Sequence, residues 1–175
     1  VLIAGDLFDR KNLSATARKT VYRAVIDHPD ITFYYLQGNH DVNSFLPEEE
    51  KCPDNLKLFG GEWSMYCETE QERRLVIAGL ELGENNAMLA ANSLTLDHHD
   101  FNIVMLHGQE MEHAARDRAE AVPLRSLRNK GIDYLALGHI HTYKKEALDS
   151  RGTYCYPGCL EGRGFDECGE HGFVL

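Results

Sequence analysis

Four separate apolar runs in this chain stop at the same kind of residue. "VLIAG" is followed by Asp6, "FYYLQG" by Asn39-His40-Asp41, "IVML" by His107, and "YLALG" by His139 and His141. Short runs that are apolar on both faces read as strands covered on both sides, the usual state of strands in α/β proteins. In open α/β sheets the ligand crevice lies beyond the carboxyl ends of the strands. A lone Asp after a strand is most often a turn residue or helix cap. A lone strand-end His is most often a satisfied surface histidine. Recurrence at four strand ends favours loops that converge, and it constrains the fold to one that lets them.

The intervening segments fit that constraint. Ser14 is placed to cap a helix of about fifteen residues, with Ala17, Val21, Ala24 and Val25 as its apolar stripe and "HPD" as its stop. With "VLIAG" before it and "ITFYYLQG" after it, this is a strand–helix–strand unit, hence a parallel pair with a right-handed crossover. "NLKLFG", "EWSMYCE" and "RRLVIAGL" read as short strands, "NNAMLAANSL" as a short helix and "FNIVMLHG" as another buried strand. "VPLRSLRNKG" reads as a helix with Pro123 in its first turn, Leu124 and Leu127 on its apolar face and Gly131 at its stop. "IDYLALG" is a strand, and "KKEALDSRGTYCYPG" a hairpin turning at "DSRG". No repeat, low-complexity tract or linker divides the 175 residues, so a single domain is expected, an α/β sandwich with at least one mixed sheet.

The formal charge of −10 disfavours a protein that holds nucleic acid mainly through a basic surface. A phosphate-bearing substrate then needs local cations, for which Arg10, Lys11, Arg18 and Lys19, or Lys144 and Lys145, are available. Five cysteines, an odd number, argue for reduced thiols and a cytoplasmic protein. Cys155, Cys159 and Cys168 fit no common CxxC spacing and read as ordinary strand and loop cysteines rather than structural zinc ligands. His28, His98, His99, His113 and His171 lack the strand-end register and read as solvated or capping residues. No apolar run approaches the roughly 20 residues of a bilayer span, so no membrane partner is expected.

A carboxylate, an amide oxygen and imidazoles without thiolate suit Mn²⁺, Fe²⁺ or Zn²⁺ better than Ca²⁺. A carboxylate can also bridge two ions ~3.5–4 Å apart, the spacing of two-metal phosphoesterases. Hydrolysis of a phosphate ester is the chemistry such a site suits.

In this order, "GDLFDR" (5–10), "GNHD" (38–41), "LHG" (106–108) and "GHIH" (138–141) resemble the calcineurin-like metallophosphoesterase superfamily. Within it, "GDLFD" and the terminal "YPGCLEGRGFDECGEHGFVL" are similar to bacterial SbcD-type DNA-repair exonucleases and their small phosphodiesterase relatives. The resemblance implies an αββα sandwich of two mixed β-sheets flanked by helices, two divalent ions with Mn favoured over Fe or Zn, and hydrolysis of phosphodiester bonds, with DNA as the substrate. Carried over by position, Asp6 bridges both ions, Asn39, His107 and His139 bind the second, and His141 binds the first. His40 sits beside the ions to stabilise the transition state or protonate the leaving oxygen, and Asp41 orients it. Asp9 stands where some nuclease members carry a histidine that aids phosphate handling, and Arg10 approaches the substrate phosphate. The family's remaining first-ion ligands come from an Asp-x-His motif on a strand before "VLIAGD", so a domain lacking its first strand, trimmed at its N-terminus, is expected. The ending "EHGFVL", inside an apolar run, is open to the same reading.

Two other functions compete. A phosphodiesterase or phosphatase for small phosphate esters needs no basic groove. A non-catalytic scaffold on the same fold would not need His40, whose value is chemical. No protein partner can be named from the sequence.

Overall fold

The computed structural model describes residues 1–8, 14–41, 46, 51–70, 73–83, 86, 91–111, 121–162, 164–165 and 167–175. The strand–helix–strand unit comprises β1 (Leu2–Ala4), α1 (Ala15–Ile26) and β2 (Phe33–Leu36). Ser14 caps α1 by accepting the Ala17 amide at 3.1 Å, which satisfies one of the helix's unpaired donors. At the other end the Asn55 side-chain amide donates to the carbonyls of Val25, His28 and Ile31. The helix is 12 residues long and buries Val25, while Ala24 is exposed, so its apolar stripe is narrower than expected.

β1, β2 and β3 (Leu56–Leu58) form a three-stranded sheet, all parallel. Here one expectation is corrected: β1 is an edge strand among the described residues and is only half-buried, because β2 is its one strand partner there. The larger sheet is mixed. β4 (Ser64–Glu70), β5 (Arg73–Gly79), β6 (Phe101–His107), β9 (Tyr134–Gly138), β10 (Lys144–Ala147) and β11 (Thr153–Tyr156) lie in the order β10-β11-β9-β6-β5-β4. β5, β6, β9 and β11 run parallel, and β4 and β10 flank them antiparallel. A small parallel pair, β7 (Gln109–Glu110) and β8 (Ala121–Val122), lies apart from both sheets.

α2 (Leu124–Leu127) begins directly after Pro123 but ends before the expected Gly131. Arg128 is already extended, and the chain turns through Asn129 and Gly131, both at positive φ. Of the helix read over "NNAMLAANSL", residues 91–93 are helical, and 85 and 87–90 lie outside the described residues.

The two sheets pack face to face. Tyr34 and Leu36 of β2 meet Ile77, Met105 and Ala136 of β5, β6 and β9. Val25 of α1 covers the outer face of the small sheet with Tyr35 and Leu56. Ala91, Leu94, Leu127 and Ile132 cover the outer face of the large one over Leu106, Leu135 and Leu137. These four layers are the helix–sheet–sheet–helix sandwich. Each fully buried leucine contributes roughly 1.5–3 kcal/mol. Strand alternation sets the direction of the last residue of β6: Met105 faces the small sheet, so His107, two residues on, faces it too.

Candidate metal centre

The site lies where β1, β2, β6 and β9 end together. His107 is buried, and its Nδ1 lies 2.8 Å from the Ala4 carbonyl oxygen. A carbonyl only accepts, so Nδ1 carries a proton and donates it there, and in the neutral ring Nε2 holds the lone pair. Two more acceptors converge on that nitrogen: Asn39 Oδ1 at 3.0 Å and Asp6 Oδ2 at 3.2 Å. The His139 ring stands edge-on to His107, with centroids 5.3 Å apart. Asp6, His107 and His139 each offer a ligand atom within 4.8 Å of the others. Such a set of acceptors meeting at a point fits a divalent cation of the first transition row.

Backbone geometry makes this possible. Asp6 has φ 52° and His139 φ 92°. Asp tolerates the left-handed region, but a histidine there is held by its surroundings, and such residues concentrate at functional sites. A Cβ on Gly138 would overlap the Ala4 carbonyl oxygen, so only glycine lets β9 pass this close to β1. A Cβ on Gly38 would likewise overlap the Asp6 carboxylate.

Burial pushes the Asp6 carboxyl upward, but the hydrogen bond to His107, that ring's charge and the His40 amide outweigh it, and the group titrates below its ordinary value. For His107, burial disfavours the charged ring, yet the Asp6 carboxylate, the Ala4 carbonyl and Asp41 more than offset this and raise its pKa.

The GNHD residues divide their work. The His40 amide donates to Asp6 Oδ1 at 2.9 Å, and His40 itself is exposed at the mouth of the site. Asp41 is buried, and its carboxylate accepts the amides of Leu7, Phe8 and Gly38 at 3.2, 3.0 and 3.0 Å, tying the loop after β1 to the loop after β2.

His141 is not one of the three converging groups. Its ring is exposed, and Nδ1 contacts the Glu167 carboxylate. Asp9 and Arg10, with Lys11, lie outside the described residues. Lys144 is paired with Glu110 and lies 3.6 Å from Glu146, so it is not a free phosphate cation. His28 caps α1, its Nδ1 2.8 Å from the Ala24 carbonyl. His171 is exposed, as expected, with Cys159 Sγ 3.3 Å from its Nδ1. Cys155 is buried in β11, and the Cys168 thiol bonds the Phe165 carbonyl. Glu167, on His141, and Glu110, on Lys144, carry no signal in the sequence; neither falls on a strand end of the recurring kind or on a periodic face.

Residues 1–143 match the family described as calcineurin-like phosphoesterase. The chain belongs to that family. Over 189 aligned residues it is 31% identical to YhaO of Bacillus subtilis (strain 168), an uncharacterized metallophosphoesterase. That alignment takes in 100% of the chain and 44% of YhaO, so the chain spans less than half the length of this relative. Among solved structures it resembles a "Putative 5'-Nucleotidase" from Staphylococcus aureus with TM-score 0.51 and 16% identity, over 83% of this chain and 37% of that one, a likeness of fold. Calcineurin-like phosphoesterases use divalent metals and act on phosphate esters, and the acceptor cluster of Asp6, Asn39, His107 and His139 falls inside the matched residues of this one.

Proposed function

We propose that residues 1–175 form one catalytic domain that cleaves phosphodiester bonds, with DNA as its substrate in the manner of an exonuclease. One observation carries the catalytic part of this reading. Asp6, Asn39, His107 and His139, from four strand ends, turn acceptor atoms toward one another, an arrangement that calls for a cation. Divalent ions held there, Mn²⁺ before Fe²⁺ or Zn²⁺, supply an activated water and neutralise phosphoryl charge.

The chain's own groups do the rest. His40 is anchored by its main chain to Asp6 and keeps its ring at the mouth, where it can donate a proton to a leaving oxygen. Asp41 orients His40 through the backbone, by fixing Gly38 and the loop at Leu7 and Phe8. Asp9 and Arg10 come next after that loop in sequence and are assigned to phosphate handling; His141 is assigned to the other ion. DNA as the substrate is supported by the likeness of "GDLFD" and the terminal segment to SbcD-type nucleases.

A second reading, hydrolysis of small phosphate esters, is favoured by the charge of −10 and by the commitment of Lys144 to Glu110. The test is hydrolysis, with Mn²⁺, of an aryl phosphodiester and of end-labelled duplex DNA at rising salt. DNA cleavage at low salt that falls steeply as salt rises is expected, through counterion release. His40→Ala should slow turnover by about 10²–10⁴-fold. Strong aryl diester cleavage with DNA untouched at low salt would select the small-ester reading. Turnover of neither by parent or variant would select a scaffold.

A further inference from the structure

After β11 the chain doubles back on the loop that carries His141. Gly158 adopts φ +80°, and a Cβ there would lie 2.9 Å from the His141 carbonyl oxygen. The Cys159 amide donates to that same carbonyl at 3.1 Å, and the Gly172 amide to the Cys159 carbonyl at 3.2 Å. The Cys159–His171 side-chain contact at 3.3 Å adds a further tie. Between these anchors the Glu167 amide donates to the Gly164 carbonyl at 3.2 Å, closing a turn, and the Glu167 carboxylate lies on His141 Nδ1. The Glu167 side chain is 17% exposed, although Phe165, two residues before it, is fully exposed. An acid covered to this degree so soon after the exposed Gly164 and Phe165 is held in place by its contacts.

We propose that Glu167 is a positioning residue for His141. With Nδ1–H donated to the carboxylate, the lone pair is fixed on Nε2 of a ring that is 52% exposed. Metal-binding histidines commonly donate their second N–H to a carboxylate or backbone carbonyl, which sets the tautomer and raises the ring's basicity. His107 has this arrangement with the Ala4 carbonyl. Glu167 gives His141 the counterpart, with a full charge in place of a dipole. Where His141 holds an ion, the tail beyond the matched residues 1–143 acts on it through Glu167. The inference rests on the reading of His141 as a metal ligand.

The experiment combines calorimetric titration of the 175-residue chain with Mn²⁺ and long-range ¹H–¹⁵N spectra of the metal-free protein at pH 8. It compares the parent with Glu167→Ala, Glu167→Gln and His141→Ala. In the parent, His141 should be the Nδ1–H tautomer. Glu167→Ala should mix the tautomers and weaken Mn²⁺ binding by roughly 10–100-fold. Glu167→Gln, whose amide oxygen still accepts, should restore the tautomer and most of the affinity. Parent-like Mn²⁺ affinity in Glu167→Ala, alongside lost affinity in His141→Ala, overturns the assignment and leaves the phosphoesterase reading standing. Undiminished affinity in His141→Ala removes that residue from the metal site and overturns the assignment together with the reading of His141 as a ligand, while the cluster of Asp6, Asn39, His107 and His139 is untouched by it.

Discussion

At the amino ends of β6, β9 and β11, Arg151 grips both oxygens of Asp133 at 2.9 and 2.8 Å and also donates to the carbonyls of His98 and Asp100. Asp133 accepts the Asn102 amide, and the buried Asn102 side chain donates to Asp97 and Gly131. Asp149 collects the amides of Asn129, Arg151 and Gly152. At the carboxyl ends, by contrast, Asp6, Asn39 and His107 aim acceptors at one another. One end of the sheet pairs its charged groups and its donors with acceptors within itself, Asn102 Oδ1 alone among the groups named being buried without a partner. The other leaves a shared electrostatic demand for something added, at a cost in backbone strain at His139. A polar network built to hold a fold brings charged donors to its carboxylates, whereas at the carboxyl ends several acceptors meet with no cationic side chain of Lys or Arg among the described residues there.

The harshest way to break this contrast is Gly138→Ala. With the Ala4 carbonyl in the way, β9 must move from β1, and the chain should lose about 3 kcal/mol by denaturant titration, with Mn²⁺ binding abolished. Parent-like stability would mean that the two sheets are not held in contact there.

A crossed pair tests the independence of the two ends. His107→Ala should weaken Mn²⁺ binding by more than about 100-fold, beyond the loss of an outer-shell partner. Arg151→Ala should leave that affinity unchanged and remove about 1–2 kcal/mol of stability, since the side chain is partly exposed yet bonds a carboxylate and two carbonyls. Comparable loss of Mn²⁺ affinity in both variants would refute the division.

The smallest effect is in pH. The folded pKa of His107 is raised, so its contribution to metal-free stability is complete below its unfolded value of about 6.5 and fades as pH rises through the folded value. Asp6, with a lowered folded pKa, contributes above its unfolded value and loses that contribution as pH falls through the folded one. The pair therefore helps most between about pH 4 and 6.5. Mn²⁺ competes with the His107 proton, so it should raise the melting temperature a few degrees more at pH 8 than at pH 6. Equal shifts at the two pH values would separate His107 from the ion.

The strand ends are legible in the sequence because an apolar run stopping at a polar residue is a local signal. Ser14 is legible for the same reason: a cap acts over three residues. β1 reads as covered on both faces although it is only half-buried, because composition does not state how completely the neighbouring layers cover a strand. Asp41 sits beside His40 in sequence yet spends its carboxylate on amides 33 and 34 residues away. Lys144 counts as a cation for phosphate on its charge alone, but Glu110, 34 residues earlier, holds it. Glu167 is invisible in the sequence because a chain reversal at Gly158 brings it to His141 across 26 residues, and no periodicity encodes such a reversal.

Where β9 crosses β1, main chain touches main chain with no compressible side chain between them. The spacing of the two sheets is therefore transmitted to Asp6, His107 and His139 almost without loss, as a caliper transmits the width of what it grips. A wedge introduced between the sheets at Phe59 or Ile77 would be read at the far rim as a change in ion affinity. An ion bound at the rim would in turn act as a rivet, slowing the parting of the sheets.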